Sequence, residues 1–210
     1  MLELPRVTLC TFGSTDIEGM QKALDYSSKD IKFGAVKLIQ HECNGIDEWN
    51  YNIVHHLGDY IDTDFCLLVH PDGFVVHPES WRDEWLKYDY IGAPWPLPQD
   101  DFSYRDINWN LVRVGNSVSL RSKKLLTLPK RLPEKMKMEW RPYFSYTNED
   151  GFICCHNRHV YEHCGCTFAP IEVAKWFSRE IEIPENKEVE KPFCFHRNGG
   201  RNSVYPNFES

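Results

Sequence analysis

No stretch of this chain approaches the roughly 18 to 20 consecutive apolar residues of a membrane-spanning helix, so no membrane span is expected. Basic residues are in deficit: 24 Lys and Arg stand against 31 Asp and Glu, for a formal charge of −7. A nucleic-acid groove neutralises phosphates with clustered Lys and Arg, so nucleic acid is not an expected partner. Gly-x-x-x-x-Gly-Lys-Ser/Thr is absent, which excludes a P-loop. Gly-x-Ser-x-Gly is absent too, and with it the usual α/β-hydrolase nucleophile. The loop after the first predicted strand holds a single glycine, Gly13, too few for a dinucleotide fingerprint. Met1–Arg6 has neither the basic nor the apolar region of a signal peptide. A cytoplasmic location with free thiols is therefore expected.

What is present suits one domain of ordinary globular composition. The 210 residues are 41% apolar and 26% charged, with aromatics at 14% and 7 Trp. Trp and Tyr are useful where a site stacks on bases or sugars. Cys is present 8 times but never as Cys-x-x-Cys. Cys155, His159 and His163 fall at i, i+4 and i+8 with Cys164 and Cys166 nearby; a polar helix face, opposite Ile153 and Val160, is expected there rather than a zinc site.

The hydrophobic pattern predicts an α/β fold, a central sheet flanked by helices. Arg6–Gly13 reads as a first strand, followed by a helix capped by Ser14 or Thr15, and Phe33–Gln40 as a second strand, a βαβ unit with a right-handed crossover. Asp47–Ile61 is a second helix. Phe65–Val69 is apolar without alternation, the pattern of a strand buried on both faces, and it ends abruptly at His70-Pro71-Asp72-Gly73. A helix is expected from Pro78 to about Lys87, a strand at Tyr90–Ala93, and a long aperiodic loop at 97–110 serving as a flap. Val112–Leu120 reads as a strand interrupted by Gly115-Asn116, and Ser122–Leu128 as a helix stopped by Pro129. After an irregular stretch at 129–147, Asn148 is expected to cap a helix reaching about Cys164. Thr167–Phe177 reads as a strand and its exit, and the tail from Glu180 regains order at Phe193–His196.

Three sets of side chains carry chemistry. His70 and Asp72 lie at the carboxyl end of a predicted central strand, where open α/β sheets bind ligands. Together they can reach one divalent cation; a plain turn with a solvated Asp fits the same residues. Glu149 and Asp150 open a helix, which keeps carboxylates ionised, and here ordinary helix capping is the stronger reading of the residues alone. His196 follows an apolar pair and is useful only if the tail folds back over the crevice.

Taken in order, Tyr60-Ile61-Asp62-Thr63-Asp64, Asp72-Gly73-Phe74, Pro78-x-x-Trp81, Tyr88-Asp89-Tyr90-Ile91-Gly92-Ala93-Pro94-Trp95, Val114-Gly115-Asn116, Ser119-Leu120-Arg121-Ser122, Asn148-Glu149-Asp150 and Phe195-His196 form a series. That series resembles small GT-A-type glycosyltransferase domains, and most closely the N-terminal glycosyltransferase domain of a chlorella-virus enzyme of capsid-glycan synthesis. The likeness covers nearly all of residues 6 to 197. It implies a single GT-A-like (Rossmann-type) domain over 1–210, with a mostly parallel mixed sheet and a tail at 180–210 folded back over the site. It implies transfer of a hexose or 6-deoxyhexose from a UDP-sugar to a glycan or glycoprotein hydroxyl, in the host cytoplasm if viral, with Mn²⁺ or Mg²⁺ as cofactor and further domains C-terminal in a longer chain. In the family's Asp-x-Asp metal turn, Asp72 takes the last position and His70 replaces the first carboxylate; His196 matches a late His that completes the metal set. Thr11, Phe12, Gly13 and Asn50 match nucleotide-binding positions. Gly115, Asn116 and Ser117 match the segment along the donor sugar, and Asp150 with Glu149 the catalytic acidic pair. A sugar nucleotidyltransferase and a non-catalytic glycan-binding module are the competing function classes.

Overall fold

The computed structural model describes residues 1–133, 136, 138–140, 148–196 and 205–208. Five strands form the main sheet in the order β2-β1-β3-β5-β4: β1 (Leu2–Gly13), β2 (Ile31–Gln40), β3 (Phe65–Leu68), β4 (Tyr90–Pro94) and β5 (Val114–Ser122). β1 pairs in parallel with β2 and β3, while β5 runs antiparallel to both β3 and β4. The expected mostly parallel mixed sheet flanked by helices is therefore what forms.

Period-two alternation sorts the central strands into two layers. Val7 and Leu9 of β1, with Leu67 of β3 and Val69, face a core shared with Ala23 and Leu24 of α1 (Ile17–Ser28). Cys10, Cys66 and Leu68 face the other way, against Ile53, Leu57 and Ile61. Every residue of β3 is buried, as a strand covered on both faces must be. Removing one such side chain, as in Leu67→Ala, costs about 2–5 kcal/mol in a packed core.

Several boundaries differ from the sequence pattern, each for a local reason. β1 begins at Leu2, paired with Ile31, rather than at Arg6. Neither Ser14 nor Thr15 caps α1; Asp16 does, its carboxylate accepting the Gly19 N–H at 3.0 Å. The second helix, α2, covers Ile46–His55 and gives way to a 3₁₀ turn at Leu57–Tyr60. Between Pro78 and Lys87 there are two short 3₁₀ turns in place of one helix. α3 (Lys123–Arg131), capped by Ser122, runs through Pro129 instead of stopping before it, at the cost of the N–H that would otherwise bond the Leu125 carbonyl. The helix expected from Asn148 is broken into α4 (Glu149–Gly151), a π-turn at Phe152–His156, and α5 (Arg158–His163). The buried Asn157 makes the break: its side-chain amide donates to the Phe152 carbonyl at 3.2 Å.

Thr167–Phe177 is the clearest departure. It forms a helix, α6 (Ile171–Phe177), and only Ser178–Arg179 is extended, as β6. Ala174 and Phe177 are its buried residues, a three-residue interval that a helix satisfies and a strand does not. β6 pairs in parallel with β7 (Cys194–Phe195) to make a small second sheet. All 8 cysteines are free. No helix among the described residues is long and apolar enough to cross a membrane. Most of the irregular stretch expected at 129–147, and the segment after His196 up to 204, lie outside the described residues.

Candidate functional site

Strand direction decides what meets at the sheet's working edge. β1 and β3 run together, with Cys10 opposite Leu68, so the loop after Gly13 and the turn after Val69 open on one side. β5 runs the other way, with Ser119 opposite Leu68, and this brings its opening residues, Gly115 to Ser117, to the same side. The crevice between them has a volume of about 540 Å³ and is lined by Ser14, Thr15, Cys43, Trp49, His70, Asp72, Ser117 and His196, among others. A recess of about 250 Å³ continues beneath the β1 loop, lined by Thr11, Phe12, Gly13 and Asp16, and shares Trp49, His70 and Asp72.

Residues 70–73 form a tight turn closed by reciprocal backbone bonds. The His70 N–H donates to the Gly73 carbonyl at 2.7 Å and the Gly73 N–H to the His70 carbonyl at 3.1 Å. Gly73 is needed because a Cβ there would lie 2.5 Å from Val118 Cγ2 and 2.7 Å from His196 Cδ2. His196 therefore rests directly on the turn. Its Nε2 is 3.6 Å from Asp72 Oδ1, and its Nδ1 is 3.6 Å from Glu180 Oε1. Burial alone would lower the His196 pKa, but the Asp72 and Glu180 carboxylates outweigh it and push it up to about 10. Burial works against the Asp72 anion as well, yet His196 holds its pKa below the ordinary value. His70 behaves oppositely: burial, reinforced by the nearby His196 charge, drives it down to about 3. Its Nε2 is enclosed and meets no hydrogen-bonding partner among the described residues, and neither does the Thr11 hydroxyl.

The adjacent acids part company. Glu149 is buried and accepts from the Arg121 guanidinium at 2.7 Å, an ion pair closed to solvent on both sides. Asp150 instead accepts the Asn116 N–H at 3.1 Å and the Gly151 N–H at 2.7 Å. Burial, with the Glu149 charge behind it, pushes the Asp150 carboxyl up to about 7. A group with that pKa exchanges its proton near neutrality, which is what general acid–base work requires.

Asn116 ties the two halves together. Its backbone is left-handed, φ 84°; its N–H reaches Asp150, and its side-chain nitrogen lies 3.0 Å from His196 Nδ1. Asp72, His70, His196, Thr11, Phe12, Gly13 and Ser117 thus gather around the crevice, with Asn116 and Asp150 bonded behind it. Gly115 turns inward against the Trp95 ring, where a Cβ would meet Cζ2 at 1.9 Å. Asn50 is buried and lines neither cavity; its side-chain oxygen accepts the Glu149 N–H at 3.1 Å, fixing the start of α4.

The 97–110 loop does not lie on the crevice. Asp106 and Asn110 line a separate cleft of about 390 Å³ with Arg113, Arg158 and Glu162. Cys155 is buried in the same core as Ile153 rather than on an opposite, polar face, because the π-turn shifts the helical phase. Sequence reasoning passed over Trp49, Arg121 and Glu180. Arg121 had a legible signal, a lone charge between apolar strand residues that must find a buried partner. Glu180 had none, since only the β6–β7 pairing carries it to His196.

A carboxylate oxygen and an imidazole nitrogen 3.6 Å apart can both reach one hard or borderline divalent ion, and this donor pair suits Mn²⁺ or Mg²⁺. Among the described residues no three His, Cys, Asp or Glu side chains cluster closely enough to enclose a metal. An ion held here would keep several positions open for an anionic ligand and water, so the residues fit a metal that is shared with a substrate.

No curated protein sequence matches the chain significantly. The fold resembles that of a galactosyltransferase, LgtC, solved with donor and acceptor sugar analogs, at a TM-score of 0.54 and 13% identity over 92% of this chain and 87% of that one. An active-site mutant of LgtC aligns similarly, at a TM-score of 0.53 and 14% identity over the same shares of the two chains. At such identity the likeness is one of architecture, and the architecture is GT-A-like. Residues 55–196 match the model of a family described as a protein of unknown function, DUF5672, and the chain belongs to that family.

Proposed function

We propose that this protein is a metal-dependent glycosyltransferase, which moves a sugar from a nucleotide diphosphate sugar to a hydroxyl of a glycan. One observation carries the reading: the Asp72–His196 pair borders the crevice at the carboxyl edge of β1 and β3, while Asn116 bonds both His196 and the proton-exchanging Asp150. The GT-A-like architecture supports it. So does the lining of the crevice, where no Lys or Arg appears among the described residues, because such a lining leaves the charge of a diphosphate for a cation to offset.

In the narrower form of the proposal the donor is a UDP-hexose or UDP-6-deoxyhexose, the acceptor a capsid-type glycan, and residues 1–210 one catalytic domain. Asp72 and His196, with His70 beside them, hold Mn²⁺ or Mg²⁺. When bound, such an ion offsets the charge that develops on a departing diphosphate. Thr11, Phe12 and Gly13 border the nucleoside, and Trp49 walls the space between nucleoside and diphosphate. Ser117 lies along the sugar. Asp150, its pKa raised to about 7, takes the proton from the acceptor hydroxyl. Glu149 serves through its bond to Arg121, which keeps α4 pressed against β5 and holds Asp150 where it accepts the Asn116 N–H. Asn50 anchors the same helix from behind.

The test is calorimetric titration of UDP into the protein with and without Mn²⁺. Wild type should bind UDP in a Mn²⁺-dependent manner, and Asp72→Ala should abolish the dependence while the fold persists. Undiminished Mn²⁺-dependent affinity in that variant overturns the proposal.

A further inference from the structure

His196 has to do two things to serve as a ligand: leave Nε2 bare toward Asp72, and carry its ring proton on Nδ1. That second nitrogen faces two candidates, the Asn116 side chain at 3.0 Å and Glu180 Oε1 at 3.6 Å. Asn116 cannot accept the proton. Its side-chain oxygen is already taken by the Val118 N–H at 3.0 Å, so its NH₂ points at His196. An NH₂ donates only to a bare Nδ1 and thereby favours the tautomer with the proton on Nε2. Glu180 is the acceptor available for the opposite tautomer.

From this elimination we infer that Glu180 is a positioning residue: it receives the Nδ1–H of His196 and so turns Nε2 into a donor for the cation beside Asp72. The inference rests on the metal-dependent reading proposed above. Carboxylates commonly hold metal-binding histidines this way, and their removal typically weakens metal affinity 10–100-fold. The backbone supports the role independently. Arg179 pairs with Phe195 across β6 and β7, and the His196 N–H donates to the Arg179 carbonyl at 2.9 Å, so Glu180 and His196 follow one another in register. Glu180 is also largely enclosed, its side chain 18% exposed, which spares it competition from bulk water. Contact at 3.6 Å is about 0.8 Å longer than a charge-assisted hydrogen bond, so the two side chains close by that much when they share the proton.

The experiment measures Mn²⁺ affinity by the paramagnetic resonance of free Mn²⁺, with UDP present, for wild type, Glu180→Ala, Glu180→Gln and Asp72→Ala. The expected result is a loss of roughly 10–100-fold for Glu180→Ala. Glu180→Gln, whose amide oxygen still accepts the proton, should bind within a few fold of wild type. Equal affinity in Glu180→Ala, or an equally deep loss in Glu180→Gln, overturns the inference. Should Glu180→Ala fail to fold, nitrogen NMR of wild-type protein with Mg²⁺ and UDP decides: the His196 proton belongs on Nδ1, and finding it on Nε2 overturns the assignment. Asp72→Ala separates the two levels. If it abolishes Mn²⁺ binding while Glu180→Ala does not weaken it, only the role of Glu180 falls; if it binds as wild type does, the metal site falls with it.

Discussion

Asp150 makes a prediction that needs no knowledge of the substrate. Its folded-state pKa of about 7 stands well above the 3.8 of an exposed carboxyl. Between those values the folded chain holds a proton that the unfolded chain releases, so its contribution to stability is full at low pH and is lost as pH rises toward 7. Linkage over such an interval sets an upper bound of about 2.7 kcal/mol lost between pH 5 and pH 8.5. The residue is not fully enclosed, which lowers the expected loss to about 1.5–2.5 kcal/mol. Asp150→Asn removes the titration. It also removes one of two acceptors, those facing the Asn116 and Gly151 N–H groups, at about 1 kcal/mol irrespective of pH. The measurement is denaturant unfolding of both proteins at pH 5 and pH 8.5. Every other group titrates alike in the two, so the variant should gain about 1.5–2.5 kcal/mol on wild type between the two pH values. A gain below about 0.5 kcal/mol would mean that water reaches Asp150 freely, and the reason given for its role would be wrong.

Arg121→Met strands the Glu149 carboxylate in the core and should destabilise by about 3–5 kcal/mol, whereas adding Glu149→Leu should recover most of that. Unfolding curves check both, and a single-variant loss under about 1 kcal/mol would show that the pair is not closed to solvent. Gly73→Ala drives a methyl against Val118 and His196 and should cost about 1–3 kcal/mol. Its more telling readout is NMR, where the His196 ring signals should shift; unmoved signals would separate the ring from the turn.

The main sheet could be read from the chain because burial on both faces leaves an unmistakable apolar run at Phe65–Val69, with a helix signal on either side. Helix ends were less legible. Ser14 and Thr15 are as good caps by type as Asp16, and only the left-handed backbone at Asp16, φ 47°, selects it. Ile171–Phe177 misled because β-branched and aromatic residues such as Val173, Trp176 and Phe177 suit a strand by type, and the helical interval shows only once Ala174 and Phe177 find a core to face. At the site, Asp72 was marked by a strand end and a turn. Glu149 and Asp150 were inseparable in sequence, since adjacent helix positions diverge by about 100° and nothing local says which one points inward. The buried Arg121 says so, from 28 residues away.

The two halves of the site are held by different means. Asp72 and Asn116 hang from the five-stranded sheet, whose ladder is continuous from β1 through β5, and Asp150 on α4 is bonded to it through the Asn116 N–H. His196 hangs from two-residue strands, too short for a ladder to fix them. What fixes them is side-chain burial next door. Phe193, Cys194 and Phe195 are enclosed, with Phe193 against Trp81, Trp85 and Phe177 and Phe195 against Phe74. The Val76 N–H reaches the Phe193 carbonyl, and the Phe195 N–H reaches that of Phe74. Packing thus places the His196 Cα and brings its ring onto Gly73, but says nothing about which of the two ring protons of the charged imidazolium a bound cation displaces. That choice is left to the polar neighbours of the ring, and Asn116 and Glu180 press it in opposite directions. A cation beside Asp72 sides with Glu180, because only a bare Nε2 can face it.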